Sequence, residues 1–344
     1  MSSRKKVVVI GGGTGTFSVL QALRDSPFEI SAIVSTADDG GSTGILRDEL
    51  GVLPPGDLRQ ALVALSADSS VLRDLFNYRF KEGSLSGHSF GNLLLSALEK
   101  VTGKFDQAVL EAGKILAING QVIPVTTDQM HLFAQTLDGK TVSGEHAIEQ
   151  HLWSEKEHIN KLWIEPACTV HPLARQVILN ADLIVIAPGS IYTSLIPNLL
   201  VDGVCEALHK TKAKIAYVVN LMTEKGQTGS FSVQDFAALI EQYIGERQID
   251  YVIYNNRLPA PGLLDLYKKE MERSPVKVDV KRRKSLPYRL VGANLLSTKP
   301  PIIPESVDRL AATRTLIRHD AKKLARVLAA LLYLNEAEKY LTHA

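Results

Sequence analysis

At 344 residues, with 45% hydrophobic and 22% charged side chains, the chain is long enough for one large domain with a sizeable core and too apolar for disorder. A net charge of +2 gives no basis for nucleic acid as a partner. No apolar stretch reaches the ~18 residues a bilayer span needs, so a cytoplasmic protein is expected. The two cysteines, Cys168 and Cys205, cannot make a disulfide framework and read as core thiols.

Lys5–Ile10 reads as a buried parallel strand, because it is β-branched without polar alternation. It runs into Gly11-Gly12-Gly13-Thr14-Gly15-Thr16-Phe17, and a helix is predicted over Ser18–Arg24. A strand, glycine loop and helix in that order point free backbone N–H groups at a phosphate, and glycines allow close approach. Gly12, Gly13, Thr14, Gly15 and Thr16 are therefore candidate ligand-binding residues. The loop lacks the Gly-Lys-Ser/Thr ending of a P-loop, and Thr16 stands where a dinucleotide fingerprint has its third small residue.

A second strand, Glu29–Ser35, ends in the loop Thr36–Gly44. Loops at the carboxyl ends of neighbouring strands share one crevice in a doubly wound sheet. Asp38 and Asp39 are thus expected beside the glycine loop, accepting protons from sugar hydroxyls or holding a divalent cation, with Ser42 close by. Ile45–Val52 reads as a short helix or turn, and Asp57 as the N-cap of a helix over Leu58–Ser66. Another helix is predicted over Asp68–Phe80. Gly87-His88-Ser89-Phe90-Gly91-Asn92 opens the helix Leu93–Val101, making His88 a candidate base or phosphate donor with Asn92 beside it. Lys104–Ile118 reads as one more helix.

Over about 122–166 the pattern changes to an antiparallel β insertion, with strands at Val122–Thr126, His131–Leu137 and Leu162–Ile164 and a hairpin turn at Asp138-Gly139. His146, His151 and His158 lack metal-ligand spacing and are expected to face solvent. The α/β rhythm returns with strand Asp182–Ala187, which delivers a third small-residue loop; Gly189, Ser190, Thr193 and Ser194 there suit an anion. Lys214–Val219 delivers Asn220, placed where a base or ribose would lie. Ser232 is expected to cap a helix to Ile244, and Asp250–Tyr254 delivers Asn255-Asn256. Leu263–Met271 reads as a helix and Lys281–Lys284 as a solvated basic run. Asp320 is expected to cap a terminal helix over about 320–334, with Arg318 before it a candidate phosphate or carboxylate clamp. Five strands thus end in polar, small-residue loops. The pattern predicts a Rossmann-like, doubly wound, mostly parallel α/β sheet with a small antiparallel insertion, one domain over 1–344, and one nucleotide-sized crevice.

Six segments together resemble the YvcK branch of the CofD-like proteins over nearly the whole chain: IGGGTGT at Ile10–Thr16, ADDGGS at Ala37–Ser42, GHSFGN at Gly87–Asn92, APGSIYT at Ala187–Thr193, NLMTEKG at Asn220–Gly226 and RHD at Arg318–Asp320. The resemblance implies a bacterial cytoplasmic gluconeogenesis factor, tied to cell shape and envelope synthesis on gluconeogenic carbon sources, that binds UDP-sugars, UDP-N-acetylglucosamine in particular. By position it puts the glycine loop, Asp38, Asp39, Asn220, Tyr267 and Arg318 in or near that ligand. A homodimer and envelope-synthesis protein partners follow from the same likeness. The related CofD enzymes transfer a phospholactate group from a guanosine diphosphate derivative to a deazaflavin alcohol with Mg²⁺. The enzymatic alternative is therefore a transferase with Asp38, Asp39 and His88 as catalytic candidates and Mg²⁺ on the two acids. The chain departs from the transferase pattern, a shorter Thr-Gly-Asp-Asp, where it carries Asp38-Asp39 followed by Gly40–Gly44, which argues against deazaflavin transfer. A dinucleotide-dependent oxidoreductase is the weakest reading, although NAD or GDP could occupy such a crevice opportunistically.

Overall fold

The valine run at the N-terminus carries no polar alternation because both its faces are covered. In the computed structural model, which describes residues 4–67, 70–151, 158–282, 286–298 and 316–341, this strand is β1 (Lys6–Gly11). With β2 (Glu29–Val34) and β3 (Gln121–Pro124) it forms one half of a parallel sheet. A separate antiparallel sheet holds β4 (His131–Thr136), β5 (Thr141–Ser143) and β6 (Ile159–Glu165) in the order β5-β4-β6. The parallel sheet continues with β7 (Leu183–Ile186), β8 (Lys214–Val218), β9 (Tyr251–Asn255) and β10 (Arg289–Ala293). Its order is β10-β9-β8-β7-β1-β2-β3, seven strands, all parallel.

Alternate residues of the central strands feed two cores. Val7, Val9, Leu183, Val185, Ala216 and Val218 face one side. The helices there are α1 (Gly13–Leu23), α3 (Gly56–Leu65), α4 (Ser70–Asn77), α5 (Phe90–Thr102) and α6 (Phe105–Ile115), with Leu20, Leu58, Phe76, Leu95 and Val109 in that core, and α2 (Gly41–Leu50) packs on α5. Val8, Ile10, Ile184, Ile186 and Ile215 face the other side. That side is covered by α7 (Glu145–Gln150), α8 (Pro172–Leu179), α9 (Ile196–Leu199), α10 (Val204–Lys210), α11 (Val233–Ile244) and the inner face of the antiparallel sheet. Next come α12 (Pro261–Met271) and α13 (Ala321–Leu341), the latter adding Leu324 and Leu328 to the first core. Each such side chain removed from water contributes about 1.5–3 kcal/mol.

Several expectations change. Val122–Pro124 belongs to the main sheet and not to the insertion: it runs parallel to β2, and its apolar residues are buried on both faces, whereas β4 alternates buried and open residues. Helix α1 begins inside the glycine loop at Gly13, not at Ser18, and α2 starts at Gly41. β10 carried no sequence signal because, as a half-exposed edge strand, it lacks an apolar run. Of the helix expected over Asp68–Phe80, Ser70–Asn77 forms, with 68 and 69 outside the described residues. Arg283 and Lys284 of the basic run also lie outside them. Ser232 caps α11 in a reciprocal box with Asp235, and Asp320 accepts from Lys323 N at 3.0 Å. Cys168 and Cys205 are free, and burial pushes both thiols up to about 11. His146 is exposed, but His151 and His158 are half-buried.

Candidate functional site

The sheet order reverses between β1 and β7: β2 and β3 lie to one side, β7 to β10 to the other. Ligands of open α/β sheets bind at such a switch point, beyond the carboxyl ends of the strands. The five polar loops follow β1, β2, β7, β8 and β9, which are contiguous neighbours in the sheet.

At the switch point the loops after β1 and β7 interlock. A Cβ on Gly15 would run into the Pro188 carbonyl group, so only glycine lets the two backbones meet there. Gly13 takes φ +64°, and no side chain of Gly12 caps α1. Thr14 is exposed and Gly13 and Gly15 half-exposed, so the first turn of α1 reaches the surface, with the N–H of Gly13 already met by Asp57. The Thr16 hydroxyl is spent inside the helix, donating to Gly12 O at 2.9 Å. The chain after β7 makes a π turn at Ile191–Leu195, a distortion frequent at functional sites. The Ser190 and Thr193 hydroxyl oxygens there, and that of Thr36 after β2, are buried without a hydrogen-bond partner. Buried hydroxyls normally find partners, and Thr36 and Ser190 have none among the described residues. Asn220 does not reach outward. Its amide donates to Gly189 O at 2.7 Å and accepts from Gly189 N at 3.0 Å, bracing the neighbouring loop.

The acids divide into two groups. Asp38 lies against Gly56 and Thr43, accepts from Gly40 N at 3.0 Å, and is pushed up from its ordinary range by burial. Asp57 does not cap α3, which starts at Gly56 after Pro55. Its carboxyl crosses to α1, lies against Gly12, and accepts from Gly13 N–H. Burial, together with the charge of Asp38, pushes it up to about 7. Glu145, the first residue of α7, is pushed up to about 9 by burial and by Asp38, Glu149 and Asp57. The Thr193 hydroxyl lies against it without completing a well-formed hydrogen bond. Asp39 turns the other way. Its two oxygens accept from Glu145 N at 3.1 Å and His146 N at 2.7 Å, capping α7. Gln227, after β8, donates to Ile148 O at 3.4 Å. Helix α7 is therefore a roof touched by the loops after β2, β7 and β8.

Ser42, His88 and Asn92 come together as a polar chain. Ser42 Oγ lies 3.0 Å from His88 Nδ1, Asn92 Nδ2 donates to Ser42 Oγ at 3.3 Å, and Arg59 Nε donates to Asn92 Oδ1 at 3.0 Å. Arg59 also donates to Asn77 Oδ1 at 2.7 Å, and burial, with Arg79 nearby, lowers it to about 10.

Tyr267 is 1% exposed, and its hydroxyl accepts from Ile317 N at 3.0 Å, beside half-buried Arg318. It packs with Leu221 and Met222 of the loop after β8. His319 reaches the backbone of Val219, the residue before Asn220, and burial lowers it to about 4. The Arg318–Asp320 segment thus adjoins the loop after β8. Sequence reasoning missed the crossing of Asp57 to α1, the buried Arg59, and Glu145 and Gln227. Gly56-Asp57 repeats the acid-beside-glycine pattern of Asp39-Gly40 and could have flagged Asp57; nothing in the sequence marks Glu145. Two surface hollows, of about 380 Å³ beside Gln234 and Tyr288 and about 300 Å³ between α6 and β3, lie away from these loops.

Residues 7–296 match the family described as 2-phospho-L-lactate transferase CofD. The chain is 37% identical over 335 residues to the gluconeogenesis factor of Bacillus subtilis, covering 96% of this chain and 99% of that one. It is 37% identical over 339 residues to the gluconeogenesis factor of Listeria innocua, covering 98% of each. The crystal structure of a UPF0052-family protein from Bacillus halodurans has a TM-score of 0.86 at 34% identity, covering 96% of this chain and 100% of that one. With a parallel sheet, a switch-point glycine loop and these relatives over its full length, the chain belongs to the CofD family, among the gluconeogenesis factors.

Proposed function

We propose that the protein is a cytoplasmic binding and regulatory protein whose ligand is a nucleotide sugar, UDP-N-acetylglucosamine foremost, and that it serves cell shape and envelope synthesis during growth on gluconeogenic carbon sources. The observation that carries the reading is the surface-facing first turn of α1, at Gly13–Gly15, next to the unpartnered buried hydroxyls of Thr36 and Ser190. A diphosphate suits that end of a helix, and hydroxyls beside it suit its oxygens or the sugar. Arg318 is the proposed ligand clamp, held in place through Tyr267. The reading extends to a homodimer and to an envelope-synthesis protein as the regulated partner. Calorimetric titration with UDP-N-acetylglucosamine, GDP and NAD, each with and without Mg²⁺, tests it. Metal-independent binding of the UDP-sugar, weakened at least tenfold by Arg318→Ala, is expected. No binding up to millimolar ligand would end this reading.

A second reading, a CofD-like transferase acting on a nucleotide diphosphate donor, is favoured by the desolvated pair Asp38 and Asp57. Among the described residues no three His, Cys, Asp or Glu side chains are arranged to hold a metal ion. Mg²⁺, however, is commonly held by one or two carboxylates plus phosphate oxygens, and this pair fits that donor set. Asp57 takes the place expected of Asp39, whose oxygens are engaged by α7. When bound, Mg²⁺ would neutralise charge on the diphosphate. Turnover of a nucleotide diphosphate donor that needs Mg²⁺ and disappears in Asp38→Asn would establish this reading over the first. GDP or NAD bound without turnover would be opportunistic occupancy by another diphosphate.

A further inference from the structure

We propose that His88 serves as a hydrogen-bond donor, through Nε2–H, to an oxygen of the bound nucleotide sugar, its tautomer set by the one-way chain Arg59→Asn92→Ser42→His88. The proposal rests on the nucleotide-sugar reading and assigns one specificity-determining residue within it.

The direction of the chain follows from its first member. A guanidinium only donates, so the Asn92 amide must turn its oxygen to Arg59 Nε and its NH₂ group to Ser42 Oγ. Ser42 Oγ then accepts from Asn92, and its own proton needs an acceptor. Among the described residues the only other group within hydrogen-bond distance of this oxygen is His88 Nδ1. Were Nδ1 protonated and donating, the buried Ser42 proton would be stranded, which is the costlier arrangement. Nδ1 therefore accepts, and the ring proton resides on Nε2. Nε2 makes no hydrogen bond to a described residue, yet it is not among the fully buried orphan atoms, and His88 is 8% exposed. The ring thus carries one N–H without a hydrogen-bond partner among the described residues, on a residue near the loop that carries Asp38. With its basic nitrogen Nδ1 turned to Ser42, the face that His88 offers a ligand is the Nε2–H donor.

Long-range ¹⁵N–¹H NMR of the full chain, with His88 assigned by His88→Phe, reads the tautomer. Protonated Nε2 with unprotonated Nδ1 is expected, and protonation at Nδ1 overturns the proposal. Ser42→Ala is expected to shift the ring toward a tautomer mixture; an unchanged ring would show that Ser42 does not set it. Calorimetry with UDP and UDP-N-acetylglucosamine reads the contact. His88→Phe should weaken binding about tenfold, while His88→Gln, which keeps an N–H near the Nε2 position, should restore most of it. A loss already present with UDP assigns the acceptor to a phosphate, and a loss confined to the full ligand assigns it to the sugar. Equal binding by wild type and His88→Phe overturns the proposal. A wild-type chain that binds no nucleotide sugar overturns the functional reading and the contact with it, while the NMR result still decides the chain.

Discussion

Between β1 and β7 the crevice wall is backbone against backbone, with Gly15 pressed on Pro188, the Thr16 hydroxyl turned inward and Asn220 bracing Gly189. Between β2 and α3 the wall is charge: Asp38 and Asp57 are packed close to glycines, with Glu145 of the roof helix overhead. The first region is demanding in shape. The second tolerates some change of shape, but its buried carboxylates resist ionisation, so its energy depends on pH and on any cation that enters. A glycine turn and an acid pocket thus sit side by side, one satisfied by the fold and the other kept short of counter-charge.

The comparison can be broken most forcefully at Gly15. Gly15→Ala sets a Cβ into the Pro188 carbonyl, with backbone on both sides and no side chain to move aside, so a loss of more than about 3 kcal/mol is expected in urea melts. A loss below ~1 kcal/mol would mean that this wall yields. On the charged side, burial raises the pKa of Asp57 to about 7 from the ordinary aspartate value of 3.8. A raised carboxyl contributes stability that is full below the unfolded value and is lost as pH rises through the folded one. Ionisation of Asp57 should therefore weaken wild-type urea melts by roughly 3 kcal/mol between pH 4 and pH 7, at about 1.4 kcal/mol per pKa unit. Asp57→Asn, which can still accept from Gly13 N–H, should flatten that slope, matching the wild type at pH 4 and exceeding it at pH 8. A parallel pH dependence in both proteins would move the strain away from Asp57.

Asp39→Ala sharpens the contrast between the two acids. Removing the cap of α7 should cost about 1–2 kcal/mol and speed amide exchange at Glu145 and His146, leaving the glycine loop protected. Faster exchange in the glycine loop would show the two regions to be coupled. The smallest effect is expected far from both: Lys114→Gln breaks an exposed pair with Glu111 at 2.7 Å and should change stability by less than about 0.5 kcal/mol.

The parts of this fold that were legible in the sequence are those decided by a few consecutive residues. Val7–Ile10 and Leu183–Ile186 are apolar on both faces because both faces are buried, and such runs admit little but central parallel strands. Ser232 with Asp235 three residues on is a capping box wherever it starts a helix. β10 and the placement of β3 were not legible, since an edge strand is recognised by its neighbours: only pairing with β2 makes Gln121–Pro124 part of the main sheet. In the site, the five loops could be read as converging, but their side chains could not be assigned. His88 was ambiguous between base and phosphate donor in the sequence, because its partners Arg59, Asn92 and Ser42 come from three other places along the chain.

By itself the sequence determined the sheet class, the glycine turn that opens α1, and the small polar loops at the strand ends, because strand burial and positive φ are local demands that particular residue types meet. Only the tertiary structure decided which acid does what. Asp38 and Asp39 are adjacent and chemically alike, yet one is drawn under Gly56 while the other caps a helix whose amides lie 106 and 107 residues away in the chain. A carboxylate goes where donors and desolvation place it, and those are supplied by segments that meet only after the chain has folded.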